Sequence, residues 1–179
     1  MHVPLSLDLA GRSVLVVGDG DAARRRAAAF TEAGAVVTAV PERAYRTELL
    51  VGTWLVVTAA SSRALNQRVF DDAEAAGVWC NSADDPERCS YLFPSILRRG
   101  AVTVAVSTGG QSPALAAWLR RELEDAVGPE FAEVALRLAE ERRQIHAEGQ
   151  STEGIDWAAR IEHHLERVQT AAAPSSSKR

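Results

Sequence analysis

Three small clusters of residues carry types and spacings from which chemistry could be built. Gly18-Asp19-Gly20 follows the apolar run Ser13-Val-Leu-Val-Val17 and leads directly into the alanine-rich segment from Asp21. Strand, glycine turn and helix start are the parts with which a βαβ unit receives a dinucleotide pyrophosphate. Gly18 permits the turn, and Gly20 lets backbone N–H groups approach phosphate oxygens. The helix N-terminus adds partial positive charge. Ala23 stands where the fingerprint takes a third Gly or Ala. A plain strand–helix turn carries two glycines equally well. The second cluster is Glu42-Arg43, after the next apolar run. Glu42 lies at about the distance expected of a ribose-binding acid, whereas Arg43 would instead favour a 2′-phosphate. The third is Asn81-Ser-Ala-Asp84-Asp85-Pro86, at the carboxyl end of a short apolar segment, the edge that faces the ligand crevice of an open α/β sheet. A carboxylate there can move a proton or simply shape a turn. Asp85, before Pro86, suits the turn role.

Other polar residues have weaker claims. Thr108-Gly-Gly-Gln-Ser112-Pro113 is a backbone-exposing loop closed by a helix start, with Ser112 as N-cap and a Thr108 hydroxyl able to touch a ligand. Arg98, Arg99, Arg120 and Arg121 suit solvated or ion-paired positions. His163 and His164 are neighbours on a helix, about 100° apart, and cannot readily share a metal. Cys80 and Cys89 have neither metal-ligand spacing nor a secreted framework pattern. No resident metal site is expected.

The elements needed to hold these clusters are legible from periodicity. Leu5, Leu7 and Leu9 alternate with polar residues as a short lead-in or edge strand. Core strands are expected at 13–17, 35–40, 54–58 and 78–80, with helices at 21–33 and 64–76. Ala22, Ala23, Ala27, Phe30 and Ala33 would make the buried stripe of the first helix. Only a short helix or loop fits between Pro41 and Thr53, where a doubly wound half would place a helix and a third strand. That strand lies at the sheet edge, so its omission leaves a continuous sheet. Strands at 90–97 and 101–107, joined by Arg98-Arg99-Gly100, and helices at 114–126, 130–148 and 155–169 follow. The fold class is therefore α/β: a Rossmann-like parallel sheet shortened by an edge βα unit, then a further β segment and a helical C-terminal region. The expected division is 1–93, 94–127, 128–170 and a disordered tail at 171–179.

The chain has 179 residues, 46% hydrophobic, with a net charge of −4. That balance favours neither nucleic acid nor anionic membranes. No apolar run approaches membrane-spanning length, and the N-terminus lacks a signal-peptide pattern. A soluble, cytoplasmic protein is expected.

Five motifs occur in order: Gly18-x-Gly20-Asp-x-Ala23, Asn66-Gln67-Arg68-Val69, Cys80-Asn81-x-x-Asp84-x-Pro86, Pro94-Ser95-Ile96 and Val106-Ser107-x-Gly109-Gly110-x-Ser112-Pro113. Together they resemble the precorrin-2 dehydrogenase/sirohydrochlorin ferrochelatase family, the N-terminal module of siroheme synthase, from about Leu5 to about Glu124. The resemblance implies a homodimer with a Rossmann domain, a dimerisation region at 94–127 and a helical C-terminal region. It implies NAD-dependent oxidation of precorrin-2 to sirohydrochlorin and, in many members, insertion of ferrous iron in the same cleft. It places the catalytic aspartate at Asp84 and the dinucleotide contacts at Gly18, Gly20, Asp21, Ala22, Glu42 and Arg43. Thr108 holds the place of a strand-end serine. The tetrapyrrole is a polycarboxylate that needs basic partners, with Arg98 and Arg120 as candidates beside Thr108 and Ser112.

Two residue-level departures from the family pattern bear on the cofactor: the missing stretch after Pro41, which walls the adenosine side, and Asp19, where the family usually has Gly. They leave two rival readings open. One is a chelatase or tetrapyrrole-binding homologue without the redox step; the other is a non-catalytic dimeric scaffold.

Overall fold

The computed structural model describes residues 2–83 and 85–172. The chain divides into two compact units, Met1–Phe93 and Pro94–Arg179. In the first, β1 (Ser13–Val17), α1 (Asp21–Glu32), β2 (Val36–Val40), β3 (Leu55–Thr58), α2 (Arg63–Ala76) and β4 (Trp79–Ser82) follow one another. The four strands form one parallel sheet in the order β2-β1-β3-β4. The uninterrupted apolar runs of β1 and β3 suit strands covered on both faces, and Val14, Val16, Val17, Val56 and Val57 are fully buried. On one face Leu15, Val17, Val56 and Cys80 pack with Val69 and Ala73 of α2. On the other, Val14, Val16, Leu55 and Val57 pack with Ala23 and Phe30 of α1.

The sheet stops at β2, whose Val36 is 60% exposed. Where a longer fold would continue, two short 3₁₀ turns, Glu42–Ala44 and Thr47–Leu50, lead straight to β3. Tyr45, between the turns, and Leu50 are buried in the core cluster on the α2 face. The Tyr45 hydroxyl donates to Asp72 at 2.9 Å and that of Thr47 to the same carboxylate at 2.8 Å. Burial, reinforced by the Asp72 contact, raises the Tyr45 pKa. The Ser62 hydroxyl caps α2 by accepting from the Leu65 amide, and Gly77 ends the helix in a left-handed conformation.

The second unit pairs β5 (Ser95–Arg99) antiparallel with β6 (Val102–Val106) around a turn at Gly100. Then come α3 (Pro113–Ala126), α4 (Glu130–Ala147) and α5 (Trp157–Ala172). Both α3 and α4 pack on the hairpin. The α4–α5 pair is clasped by Glu141, which meets Arg160 and His164.

Several local expectations are corrected. Leu5 to Leu9 forms no strand, although Leu9 packs at the sheet's α1 face. Ala33 is exposed, because α1 closes before it. The segment expected as a strand from Ser90 begins only at Ser95. Tyr91 and Phe93 instead pack as irregular chain on the α1 face, edge-to-face with each other. Arg98 and Arg99 belong to β5 rather than to the turn. Asn81 and Ser82 are buried strand residues, not loop. α5 runs through Ala172; residues 173–179, the rest of the expected tail, lie outside the described residues.

Candidate dinucleotide site

The turn after β1 is built by two glycines with different tasks. Gly18 has φ 138°, and a Cβ there would lie 2.6 Å from the Ala59 carbonyl oxygen. Its amide donates to Val40 at 3.0 Å, while the Ala59 amide donates to Val17 at 2.8 Å. This residue thus lets three neighbouring strand ends meet. Gly20 has φ −79° and nothing within 4 Å of the direction a Cβ would take. It precedes α1 without any side-chain cap, and the first helical bond runs from the Arg24 amide to the Gly20 carbonyl at 3.1 Å. The amides of Asp21, Ala22 and Ala23 therefore have no acceptor within the helix. An uncapped helix end beside an open glycine fits a pyrophosphate.

Asp19 does not present its charge there. Its carboxylate accepts the Glu42 amide at 3.1 Å, turned toward the exit of β2. Its carbonyl accepts from the Arg24 guanidinium at 2.7 Å, and Arg24 also pairs with Asp21. Glu42 reaches onward to accept the Ser61 amide at 2.6 Å, and this bond holds its pKa below the usual carboxylate value. Because β1 lies between β2 and β3, the link from Glu42 to Ser61 passes over the carboxyl end of β1. Arg43 is exposed beside it.

The turn after β3 is locked by Asn66. Its side chain accepts the Thr58 hydroxyl at 2.6 Å and the Ala60 amide at 3.1 Å, and donates to the Ala60 carbonyl at 2.9 Å. The turn after β4 bears the acidic cluster. Asp84 itself lies outside the described residues. On either side the chain is pinned: the Ala83 amide donates to Thr58 at 2.8 Å, and the Asp85 amide to Ser82 at 3.3 Å. Cys89 bridges back to Asn81, and the Ser90 amide reaches Cys80 at 2.7 Å. The excursion therefore leaves and rejoins β4 at its carboxyl end. Asp85, the rival carboxylate, is ion-paired with Arg88, which also holds Gln67.

The remaining expected contacts lie in the second unit. Thr108 accepts the Ser112 amide at 3.0 Å, and Ser112 caps α3 by accepting from Leu115 at 3.2 Å. Arg120 pairs with Glu124, and Arg98 is exposed on β5. Gly18, Gly20, Asp21, Ala22, Glu42 and Arg43 are brought together in the first unit. Sequence reasoning missed Arg63 and Ser82 at this carboxyl edge. The signal was their placement, immediately after a helix cap and at the end of a core strand. Among the described residues no cluster of three His, Cys, Asp or Glu side chains is arranged for a metal, and no helix is long and apolar enough to cross a membrane.

Residues 5–95 match the family described as "Putative NAD(P)-binding", and residues 99–126 match the central segment of sirohaem biosynthesis proteins. The siroheme synthase of Citrobacter koseri is 36% identical over 163 residues, covering 80% of this chain and 36% of the relative. That of Tolumonas auensis is 38% identical over 161 residues, covering 80% and 34%. The chain belongs to this "Putative NAD(P)-binding" family. It spans about a third of the length of those relatives, with 36% and 34% covered. The solved structure of SirC, a precorrin-2 dehydrogenase, superposes with a TM-score of 0.71 at 24% identity, over 94% of this chain and all of that one. It shares the Rossmann-like fold of the NAD(P)-binding family and the helical C-terminal region.

Proposed function

We propose that this chain oxidises precorrin-2 to sirohydrochlorin with NAD, as a step in siroheme synthesis. One observation carries the reading. The uncapped α1 end with its open glycine and the pinned acidic loop share the carboxyl edge of one parallel sheet, in a chain related to siroheme synthases. The oxidation removes a hydride and a proton from the tetrapyrrole. When bound, the nicotinamide supplies the hydride acceptor. The amides of Asp21, Ala22 and Ala23 hold the pyrophosphate beyond Gly20. Glu42 exchanges the Ser61 amide for ribose hydroxyls, and Arg43 flanks it. Asp84 takes the proton as general base. Thr108, Ser112, Arg98 and Arg120 are the proposed contacts to substrate carboxylates.

The working form in this reading is a cytoplasmic homodimer. Ile96, Leu115 and Trp118 expose apolar surface in the region 94–127, a face suited to a second copy. Ferrous iron enters as a second substrate: two pyrrole protons leave as the metal is inserted, one to the same carboxylate and one to water. The Glu42–Ser61 link over β1 favours the rival reading, in which the tetrapyrrole binds and is metallated without oxidation.

The test is incubation of the purified chain with precorrin-2 and NAD, followed by iron, with absorbance reporting each step. NADH formation coupled to sirohydrochlorin appearance supports the reading. Metallation of sirohydrochlorin without NAD turnover supports the rival. Asp84→Asn is expected to keep NAD affinity and lose oxidation; full activity would remove the proposed base.

A further inference from the structure

A second polar feature lies at the sheet's carboxyl edge, away from the glycine turn. Between the start of α2 and the end of β4 is a cavity of about 420 Å³, lined by Arg63, Asn66, Ser82, Ala83, Asp85 and Arg88. Most of its polar groups are already engaged. Asn66 is engaged by Thr58 and Ala60, and Arg88 by Asp85 and Gln67. Two groups are not. The Arg63 guanidinium has no ion pair or hydrogen bond among the described residues. The Ser82 hydroxyl is unpartnered on a residue only 2% exposed, an arrangement buried polar groups avoid unless something else supplies the bond.

We infer that this cavity is a carboxylate subsite, with Arg63 and Ser82 as its ligand contacts. Arg88 is paired with Asp85, whereas Arg63 has no charged partner among the described residues, which suits it to a carboxylate. A carboxylate accepts both from a guanidinium and from a hydroxyl, and the Ser82 rotamer can turn its donor toward it. The start of α2 adds the favourable end of a 14-residue helix. Ser62 caps only the Leu65 amide. The position separates this anion from those of the dinucleotide. A pyrophosphate belongs at α1, beyond β1, whereas the cavity stands over β3 and β4 on the other side of β1 from β2. In a crevice that runs across the strand ends, that is the half where substrate meets the nicotinamide. The occupant is one carboxylate arm of the tetrapyrrole, an assignment that rests on the function proposed above. Arg63 and Ser82 then set the ring's orientation and are not proton carriers.

The experiment measures sirohydrochlorin binding to the full chain by tryptophan fluorescence, with NAD binding measured separately by calorimetry. Arg63→Gln is expected to weaken sirohydrochlorin binding about tenfold, as for loss of a charge-assisted hydrogen bond. NAD affinity and melting temperature should stay unchanged, since the side chain is exposed. Arg63→Lys should recover part of the loss, because it restores the charge without the fork. Ser82→Ala should weaken binding a few-fold without lowering the melting temperature, because it deletes an unsatisfied group. Equal sirohydrochlorin affinity in wild type and Arg63→Gln overturns the subsite and leaves the proposed function standing. Loss of NAD and sirohydrochlorin binding together in Arg63→Gln also overturns it. Failure of the wild type to bind sirohydrochlorin refutes the proposed function, and the subsite with it.

Discussion

Replacing each turn glycine by alanine separates the demands of the fold from those of the ligand. At Gly18 the new Cβ would meet the Ala59 carbonyl oxygen at 2.6 Å and its carbon at 2.9 Å, at φ 138°. The obstacle is backbone of the neighbouring strand end, so no side chain can swing aside. Strain at such a φ costs about 1–3 kcal/mol, and overpacking about 1–3 kcal/mol more. A loss of about 3 kcal/mol corresponds to roughly 6–12 °C in melting temperature for a chain of this size. At Gly20 the backbone, at φ −79°, already suits alanine and the space is open. Gly20→Ala should melt at or slightly above the wild-type temperature, because it restricts only the unfolded chain. Its methyl group would stand where the pyrophosphate approaches α1, and NAD affinity should fall about tenfold, or about 1.4 kcal/mol. Thermal unfolding by far-UV circular dichroism and NAD titration by calorimetry read the two effects. Gly18→Ala melting within about 2 °C of wild type would refute the packing argument, since about 1 kcal/mol is the most such a shift allows. A folded Gly20→Ala with wild-type NAD affinity would refute the placement of the pyrophosphate.

Three further outcomes follow from the bonds around the site. Asn66→Ala strips the fully buried Thr58 hydroxyl of its acceptor; the urea midpoint should fall by the equivalent of about 1–3 kcal/mol with an unchanged slope. The Glu42 carboxyl is held below its usual value of 4.5 by the Ser61 amide. Its contribution is therefore present above pH 4.5 and lost as pH falls through the lower folded value. Glu42→Gln should flatten that part of an acid stability profile, and an identical profile would dissolve the link. Burial pushes the Cys80 thiol from 9.0 up to about 12. The folded state then keeps a proton that the unfolded state releases, so this group lowers stability from about pH 9 toward 12, and Cys80→Val should lessen an alkaline decline that the raised Cys89, Tyr45 and Tyr91 groups share.

Much of the first unit could be read from the chain because its signals are local. β1 and β3 announce themselves as short apolar runs, and Gly77 stops α2 where the helical pattern ends. The short spacing between Pro41 and Trp54 was enough to omit a strand and to leave the order β2-β1-β3-β4. The site was legible as types and spacings but not as partners. Glu42 accepts from Ser61, nineteen positions away, and Asp19 accepts from Glu42, twenty-three away; neither pairing leaves a trace in periodicity. Ser90 to Leu97 misled for a related reason. Tyr91 and Phe93 are apolar because they cover Phe30 of α1, and a short apolar run does not distinguish that duty from strand pairing. Ser82 looked like a loop residue because its burial depends on the chain returning through Cys89.

The shortened connection after β2 also bears on how the sheet assembles. Pairing Val14 with Leu55 closes a loop of about forty residues. With roughly twenty more residues, as in a longer doubly wound half, the same closure would cost only about 0.4 kcal/mol extra, because the entropy grows with the logarithm of length. The two parallel crossovers meeting at β1 therefore form at nearly the rate and expense of the longer architecture. A connection of this length carries no kinetic penalty against a longer one.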